Sequence, residues 1–114
     1  MIETTVIAYL ESAVALPVYA ERPENPDAEY VLIERTGGNR RNCINRATIA
    51  VQSYADSLYR AAEINLQIEK AMRDLDSMVN ISSCDLNSSY NFTDTESKKY
   101  RYQAVFDIIY MEGE

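Results

Sequence analysis

The sequence predicts an α+β fold, in which two helices pack on one face of a mostly antiparallel sheet of about four strands. An apolar stripe with the spacing of an amphipathic helix runs through residues 58–78. Segment 46–54 alternates apolar and polar residues, and segment 100–111 has an aromatic or aliphatic residue at every second position, as strands do. The 114 residues are enough for one hydrophobic core, so 1–114 is expected to be a single domain.

The N-terminal segment predicts a short helix. Its apolar residues recur on one helical face, and we expect the helix to end before Pro17, with Thr4 or Thr5 as its cap. Residues 18–21 predict a short extended piece. The two prolines of residues 22–27 predict a loop or turn, so the chain is expected to reverse there.

A hairpin is predicted next. β-branched and aromatic residues make segment 30–35 a strand, and segment 46–54 is a second, half-buried strand. Residues 36–39 include Gly37 and Gly38, two adjacent glycines that permit positive φ. We therefore expect the first strand to end at this break.

The strongest local signal predicts a long helix over residues 57–77, on the order of 30 Å in length. Ser53 or Asp56 is expected to cap its start. The helix should be the main support of the core. Its apolar stripe comprises Leu58, Ala61, Ile64, Ile68, Ala71, Met72, Leu75 and Met78.

The C-terminal third predicts two further segments. Residues 79–84 favour a strand, whereas residues 85–97 are rich in Asn, Ser, Asp and Thr and favour a long turn or mobile loop. The last strand is apolar on both faces from Val105 onward, apart from Asp107, which is typical of a central strand. Either a long loop folding back or a neighbouring subunit could cover its second face.

Composition limits the possible functions. A net charge of −7 argues against binding the nucleic-acid backbone, which requires a basic surface. The absence of histidine removes Ser-His-Asp and Cys-His nucleophile activation. The N-terminal stretch has no basic region of a signal peptide, and no segment reaches the roughly 20 apolar residues of a membrane span. We expect a soluble, non-secreted protein.

The sequence contains no recognisable cofactor-binding or metal-binding motif. Cys43 and Cys84 stand apart, without a neighbouring Cys or His, so neither a redox motif nor a zinc site is predicted. No glycine-rich phosphate-binding motif is present. The carboxylates that could serve an enzyme are interpreted as ordinary surface; they are Asp74, Asp76, Asp85, Asp94 and Glu96. No catalytic, cofactor-binding or metal site is therefore expected.

Nine tyrosines accompany no tryptophan. Tyrosine is enriched where one end of a side chain is buried and the other meets a partner, which favours an interaction role. Tyrosine also suits strands, and this explains Tyr30, Tyr100, Tyr102 and Tyr110 equally well.

The predicted order of elements resembles the tail-terminator family of tailed bacteriophages over nearly the whole chain. The resemblance rests on the strand and turn 31–38, the strand 49–55 that leads into the Ala61-Ala62 helix, and residues 100–106. It implies a small α+β protein that forms a ring, typically of six subunits, which caps the tail tube and joins the head connector without a cofactor. Family members often carry an aromatic such as Trp where Tyr54 stands, and a Pro-rich stretch before the last strand.

The resemblance implies an interface between copies of the chain, because a ring needs two unlike patches on each subunit. The last strand could supply one patch and the arginine-bearing loop the other. The expected interface residues are Arg35, Gly37, Gly38, Arg40, Arg41, Tyr102, Phe106, Ile109 and Tyr110.

The implied partners are other copies of the chain, the tail-tube protein and the head connector or stopper. DNA would pass an acidic lumen without specific binding, and no membrane is involved. The protein would be made in the bacterial host cytoplasm, from a phage or prophage gene, and end in the virion neck. Two alternatives remain: another neck protein, such as a head-closure or connector-adaptor subunit, or a small cytoplasmic non-enzymatic binding domain.

Overall fold

A computed structural model describes residues 1–97 and 99–111. The α+β class is confirmed, with two α-helices, a short 3-10 helix and a five-stranded sheet in this part of the chain. The elements are α1 (Ile2–Val14), β1 (Val18–Tyr19), β2 (Tyr30–Arg41), β3 (Ile44–Ala55), α2 (Leu58–Arg73), a 3-10 helix (Leu75–Ser77), β4 (Ile81–Asn91) and β5 (Tyr100–Tyr110).

The strands lie in the order β1-β2-β3-β5-β4. All pairs are antiparallel except the pair of β1 with β2, which is parallel and joins Val18 to Val31 and Tyr19 to Leu32. The sheet is therefore mixed and has one short strand more than the prediction. The prediction that the last strand is central is confirmed, since β5 lies between β3 and β4.

One hydrophobic core joins both helices to one face of the sheet. The strands contribute alternate residues to this face, which we call the helix face, and the other face is called the open face. The largest fully buried side chains are Phe106, Leu10, Ile33, Ile49, Ile64, Ile68, Met72, Leu75, Ile108, Val6, Val31 and Val51. The apolar stripe predicted for the second helix thus packs into this core from Ala61 onward, because burying it removes its apolar surface from water, whereas Leu58, predicted as part of the stripe, is 40% exposed at the start of the helix.

Helix α1 ends as predicted but starts earlier. Its N-cap is Met1 rather than Thr4 or Thr5. At the C-terminal end Ala15 has φ 56°, and its backbone N–H donates to the carbonyl oxygen of Glu11 at 3.2 Å. This left-handed residue closes the last turn. Pro17 disfavours the helical conformation for Leu16, the residue before it, so the helix does not continue past Ala15.

Helix α2 is capped by Ser57, and not by Ser53 or Asp56. The Ser57 hydroxyl accepts a hydrogen bond from the backbone N–H of Arg60 at 3.1 Å, which satisfies a donor with no partner inside the helix. Ser53 instead belongs to β3 and is fully buried. The helix ends at Arg73, and a 3-10 turn occupies the last part of the predicted range.

The predicted break at residues 36–39 is wrong, because β2 continues through it to Arg41. Thr36 is an extra residue in the ladder, since Arg35 pairs with Ile49 and Gly37 pairs with Thr48. The glycine pair thus follows a β-bulge inside the strand and does not mark the end of the strand.

The segment 85–97, predicted as a long turn or mobile loop, is largely ordered as a strand. Its first seven residues belong to β4, which pairs with β5 from Ile81–Tyr110 to Asn91–Tyr102. The Asn- and Ser-rich segment has a low intrinsic propensity for strands, but its hydrogen bonding to β5 outweighs that propensity. Register shifts at Ser82 and Asn87 interrupt the ladder. This segment therefore does not fold back over the open face of β5.

The helices of the described part do not include one that is long and apolar enough to span a bilayer.

Candidate assembly surfaces

The hairpin formed by β2 and β3 turns at Asn42 and Cys43. Arg41 pairs directly with Ile44, so the turn contains two residues, and their φ angles are 54° and 66°. Positive φ at both central positions is the pattern of a type I′ turn, which matches the twist of the flanking strands. Asn tolerates this conformation well, but the turn lacks the Asn-Gly signature, which explains why the break was predicted at residues 36–39, before the turn at residues 42 and 43.

Gly38 lies inside the hairpin at φ 155°. A Cβ atom there would lie 2.5 Å from the carbonyl oxygen of Arg46 and 2.6 Å from Nη2 of Arg35. Gly37 differs, since a Cβ atom on it would meet nothing within 4 Å. The two glycines therefore have separate roles, and only Gly38 is required by close approach of the neighbouring strand.

The hairpin carries a concentrated positive charge. Residues 35–55 contain no Asp or Glu, and four exposed arginines lie on its outer part, which we call the basic hairpin (residues 35–46). No carboxylate of the described residues forms an ion pair with them, whereas Arg60 is paired with both Glu29 and Glu63. The four residues are Arg35, Arg40, Arg41 and Arg46. A chain of net charge −7 thus presents one strongly positive projection.

The predicted interface residues of β5 fall on two different faces. Phe106 is 2% exposed and Tyr110 is 4% exposed, and both belong to the core of the subunit itself. They are therefore unsuitable as contacts with a second copy. Tyr102 is half-buried on the same helix face. Ile109 lies on the open face, half-buried.

The acidic patch is a group of three exposed carboxylates around β4, the last strand of the sheet, and one of them, Asp85, lines the same surface cavity as Arg46 of the basic hairpin. We define it as Asp74 and Asp76, at the end of α2 and in the 3-10 helix, together with Asp85 of β4; all three are exposed. Burial, followed by the charges of Asp85 and Asp76, raises the pKa of the Cys84 thiol to about 12. The pKa of Tyr9 is raised by burial and then by Asp74, Cys84 and Asp76. Burial is the largest cause of both shifts, and the nearby negative charges add to it.

The open face carries a continuous chain of polar contacts. Nη1 of Arg101 donates to the Tyr54 hydroxyl at 2.9 Å, and that hydroxyl donates to Oε1 of Gln52 at 2.9 Å. Nε2 of Gln52 donates to Oε1 of Gln103 at 2.8 Å, and Nε2 of Gln103 donates to the Tyr90 hydroxyl at 2.6 Å. The chain crosses β3, β5 and β4, so it ties three strands together with satisfied polar groups.

Aromatic contacts reinforce one end of this chain. The rings of Tyr30 and Tyr54 stack with centroids 4.5 Å apart and an interplanar angle of 5°. The guanidinium carbon of Arg101 lies 4.4 Å from the centroid of Phe92, and Nε of Arg101 donates to the Phe92 carbonyl oxygen at 2.7 Å. Such cation–π geometry stabilises a partly exposed arginine.

Asp107, the exception in the apolar C-terminal strand, is also explained by the open face. Oδ1 accepts from the Thr48 hydroxyl at 2.9 Å, and Oδ2 accepts from Nδ2 of Asn87 at 2.9 Å. A carboxylate on a central strand is tolerated because both oxygens are hydrogen-bonded. The second face of β5 is thus polar-lined, and Val105 and Ile109 on it remain half-buried.

Sequence reasoning missed both the open-face chain and the acidic patch. The sequence does contain a signal for the open-face chain. Residues two apart in a strand share a face, and this applies to Gln52 and Tyr54 in one predicted strand and to Arg101 and Gln103 in another. The acidic patch could not be found in this way, because its members come from α2, the 3-10 helix and β4, and the last was not predicted as a strand at residue 85.

Residues 1–97 and 99–111 contain no group of three or more Cys, Asp or Glu side chains that could hold a metal ion. No protein-family model matches the chain, and no curated protein matches it either.

Proposed function

We propose that this chain is a structural assembly subunit that forms a ring at the end of a bacteriophage tail tube, terminates the tail and joins it to the head connector. It works without turnover or cofactor. The observation that carries the proposal is the basic hairpin: four exposed arginines without carboxylate partners in the described residues, on a subunit of net charge −7. An unpaired cluster of one sign on a surface of the other sign favours contact with a second molecule.

The second support is the presence of two unlike surfaces on one subunit. Arg35, Arg40 and Arg41 lie on β2 and Asp85 lies on β4, with β3 and β5 between them, and two unlike surfaces are what a head-to-tail ring requires. The excess of acidic residues over basic ones also suits a lumen through which DNA passes without binding.

The family assignment itself rests on the order of elements and on the segments named in the sequence. The order of helix, hairpin, long helix and final strand is retained by the α+β fold. One difference is β4, which replaces the Pro-rich stretch expected before the last strand with a paired, Asn- and Ser-rich strand.

Purified tail tubes provide the test. The chain is mixed with tubes that lack a terminator, and electron microscopy records whether density is added at one tube end and whether tube length stops increasing when tube protein is supplied. A terminator caps the end and blocks growth. A protein that binds head connectors and never tube ends is a different neck protein, and one that binds neither and stays monomeric is a small binding domain.

A further inference from the structure

A surface cavity of about 430 Å³ lies at the end of the basic hairpin. The described residues that line it all belong to the hairpin itself, and none of them is acidic. They are Asn39, Arg40, Arg41, Asn42, Ile44 and Arg46. Every one of these side chains except Ile44 carries N–H donors, and the arginines stay positively charged. The cavity is therefore rich in the donors and positive charge that an oxyanion needs.

We propose that this cavity binds a single phosphate group, either inorganic phosphate or the phosphate of a small molecule, and that Arg41 and Arg46 are its main ligands. The inference goes beyond the proposed function and does not depend on it, because it needs neither a ring nor a tail tube.

The strand register places Arg41 and Arg46 on the same face of the hairpin. Asn39 pairs with Arg46, and Arg41 pairs with Ile44. Directly paired residues share a face of the sheet, as do residues two apart on one strand, so all four lie on the open face. Arg41 and Arg46 are diagonal neighbours there, with Cβ atoms roughly 7 Å apart. Two arginine side chains at that separation can reach the same anion.

The positive charge of this pair is not neutralised within the described part of the chain. Neither arginine takes part in an ion pair there, whereas Arg60 pairs with two carboxylates. Like charges on neighbouring strands repel one another. An anion held between the two guanidinium groups offsets this repulsion, and the planar guanidinium donates two parallel hydrogen bonds to a phosphate. The unpaired arginines therefore favour a phosphate over a neutral ligand.

Two carboxylates of the open face lie near Arg46. Asp85 and Asp107 line a second cavity together with Arg46, but neither lines the cavity at the hairpin end and neither forms an ion pair with Arg46. Both oxygens of Asp107 already accept hydrogen bonds, from Thr48 and from Asn87. These carboxylates lower the positive potential beside Arg46 without occupying its donors. We therefore expect weak binding rather than tight binding.

The hairpin holds the cavity in a fixed shape. The ladder between β2 and β3 is regular from Gly38 to the turn, and the turn residues Asn42 and Cys43 have φ angles of 54° and 66°. Asn39 and Asn42 add neutral amide donors to the cavity wall. Because the backbone of the site is set before the ligand arrives, less conformational entropy is lost on binding.

Charge elsewhere on the chain favours a small ligand over a nucleic acid. The hairpin carries +4 and the whole chain −7, so the residues outside the hairpin carry −11. Duplex DNA extends beyond the cavity and meets this negative charge, whereas a single phosphate stays within the hairpin. Charges farther away than the Debye length, about 8 Å at physiological ionic strength, are largely screened from it. A small phosphate compound is therefore the expected ligand.

A titration followed by NMR tests the site. Inorganic phosphate is added to the full chain in a phosphate-free buffer, with sodium chloride at equal ionic strength as the reference. We expect saturable changes in the backbone amide shifts, confined to residues 38–46, with a Kd on the order of 1 mM. Circular dichroism checks the fold of each variant used.

Arg41→Gln and Arg46→Gln should each weaken phosphate binding about tenfold, because each removes a charged donor. Arg73→Gln is the matched control, since it makes the same change at an exposed position outside the hairpin, and it should leave the Kd within about twofold. A nucleoside monophosphate that produces the same shifts supports a small-molecule ligand, and a response to inorganic phosphate alone supports a free-anion site.

Three results overturn the proposal. The first is that chloride alone reproduces the shifts, and the second is that the Arg41 and Arg46 variants bind phosphate as tightly as the unmodified chain. The third is that duplex DNA or polyglutamate binds the hairpin more tightly than phosphate does. None of these results bears on the capping of tail tubes, so the ring proposal stands or falls separately.

Discussion

The carbonyl oxygen of Arg46 lies 2.5 Å from the position that a Cβ atom on Gly38 would occupy. The two strands of the basic hairpin therefore leave no room for a side chain at Gly38, whereas Gly37 has open space, so substitutions of the two glycines should have different effects.

Gly38→Ala should distort the hairpin, because the methyl group meets a backbone oxygen and the residue must keep φ near 155°. We expect a loss on the order of 1–3 kcal/mol in the free energy of unfolding, or faster amide exchange confined to residues 36–46. Gly37→Ala is the control and should change little, since its Cβ enters open space. Equal effects from the two changes would contradict this account.

Tyr54→Phe removes the hydroxyl that accepts from Arg101 and donates to Gln52. Because Tyr54 is only 7% exposed, the two partners lose a bond that water replaces poorly. Denaturant unfolding should show a loss of about 1–2 kcal/mol. Tyr90→Phe, at the exposed end of the same chain, should lose clearly less. The account is wrong if Tyr90→Phe is the more damaging change.

Ser57→Ala removes the N-cap of α2. The Arg60 backbone N–H then loses its acceptor, and we expect about 1 kcal/mol of destabilisation in chemical denaturation. Asp56→Ala alters the neighbouring residue without touching the cap and should be close to neutral. A larger loss for Asp56→Ala would restore the assignment made from sequence.

The two thiols should differ widely in reactivity. Cys43 is exposed at the hairpin turn, whereas Cys84 is half-buried and has a pKa raised to about 12 by burial and nearby carboxylates. At about pH 8 a thiol reagent should modify Cys43 at least a hundredfold faster than Cys84, because the thiolate is the reactive form. Cys43→Ser should abolish the fast phase, and guanidinium should make both thiols reactive. Loss of the fast phase in Cys84→Ser instead would refute the assignment.

The ion pair between Glu29 and Arg60 predicts a dependence of stability on pH. Nε and Nη2 of Arg60 donate to the Glu29 carboxylate at 2.7 and 3.0 Å, and this hydrogen bonding lowers the pKa of Glu29 despite a smaller opposing effect of desolvation. A carboxyl whose pKa is lowered by folding stabilises the fold above its unfolded pKa. That contribution is lost as the pH falls through the folded pKa.

Glu29→Gln should therefore lower the Tm at about pH 7 by a small amount, and the difference from the unmodified chain should vanish towards about pH 3. Glu24→Gln, at an exposed position in the same loop, is the control. A difference that persists unchanged at acid pH would show that Glu29 acts through packing rather than through its charge.

Local patterns predicted the elements whose hydrophobic period is strong. The stripe from Ala61 to Met72 and the alternating residues Ala47, Ile49 and Val51 are all buried in the core, because a helix or strand with one apolar side has a single way to bury it. The central position of β5 followed from its apolar residues on both faces. Local patterns were less reliable at the ends of helices and strands. The cap at Ser57 and the turn at Asn42 each depend on the conformation of one or two residues, which a periodic pattern does not specify.

The sequence by itself determined the α+β class, the order of the main elements and the concentration of arginines in residues 35–46. Tertiary structure alone decided that Asp85 belongs to a strand, since the β4 segment has little propensity of its own and is held by pairing with β5. It also decided that Phe106 and Tyr110 are core residues, because α2 covers their face. The influence of both Asp76 and Asp85 on the Cys84 thiol likewise depends on how distant segments pack, and no local pattern records it.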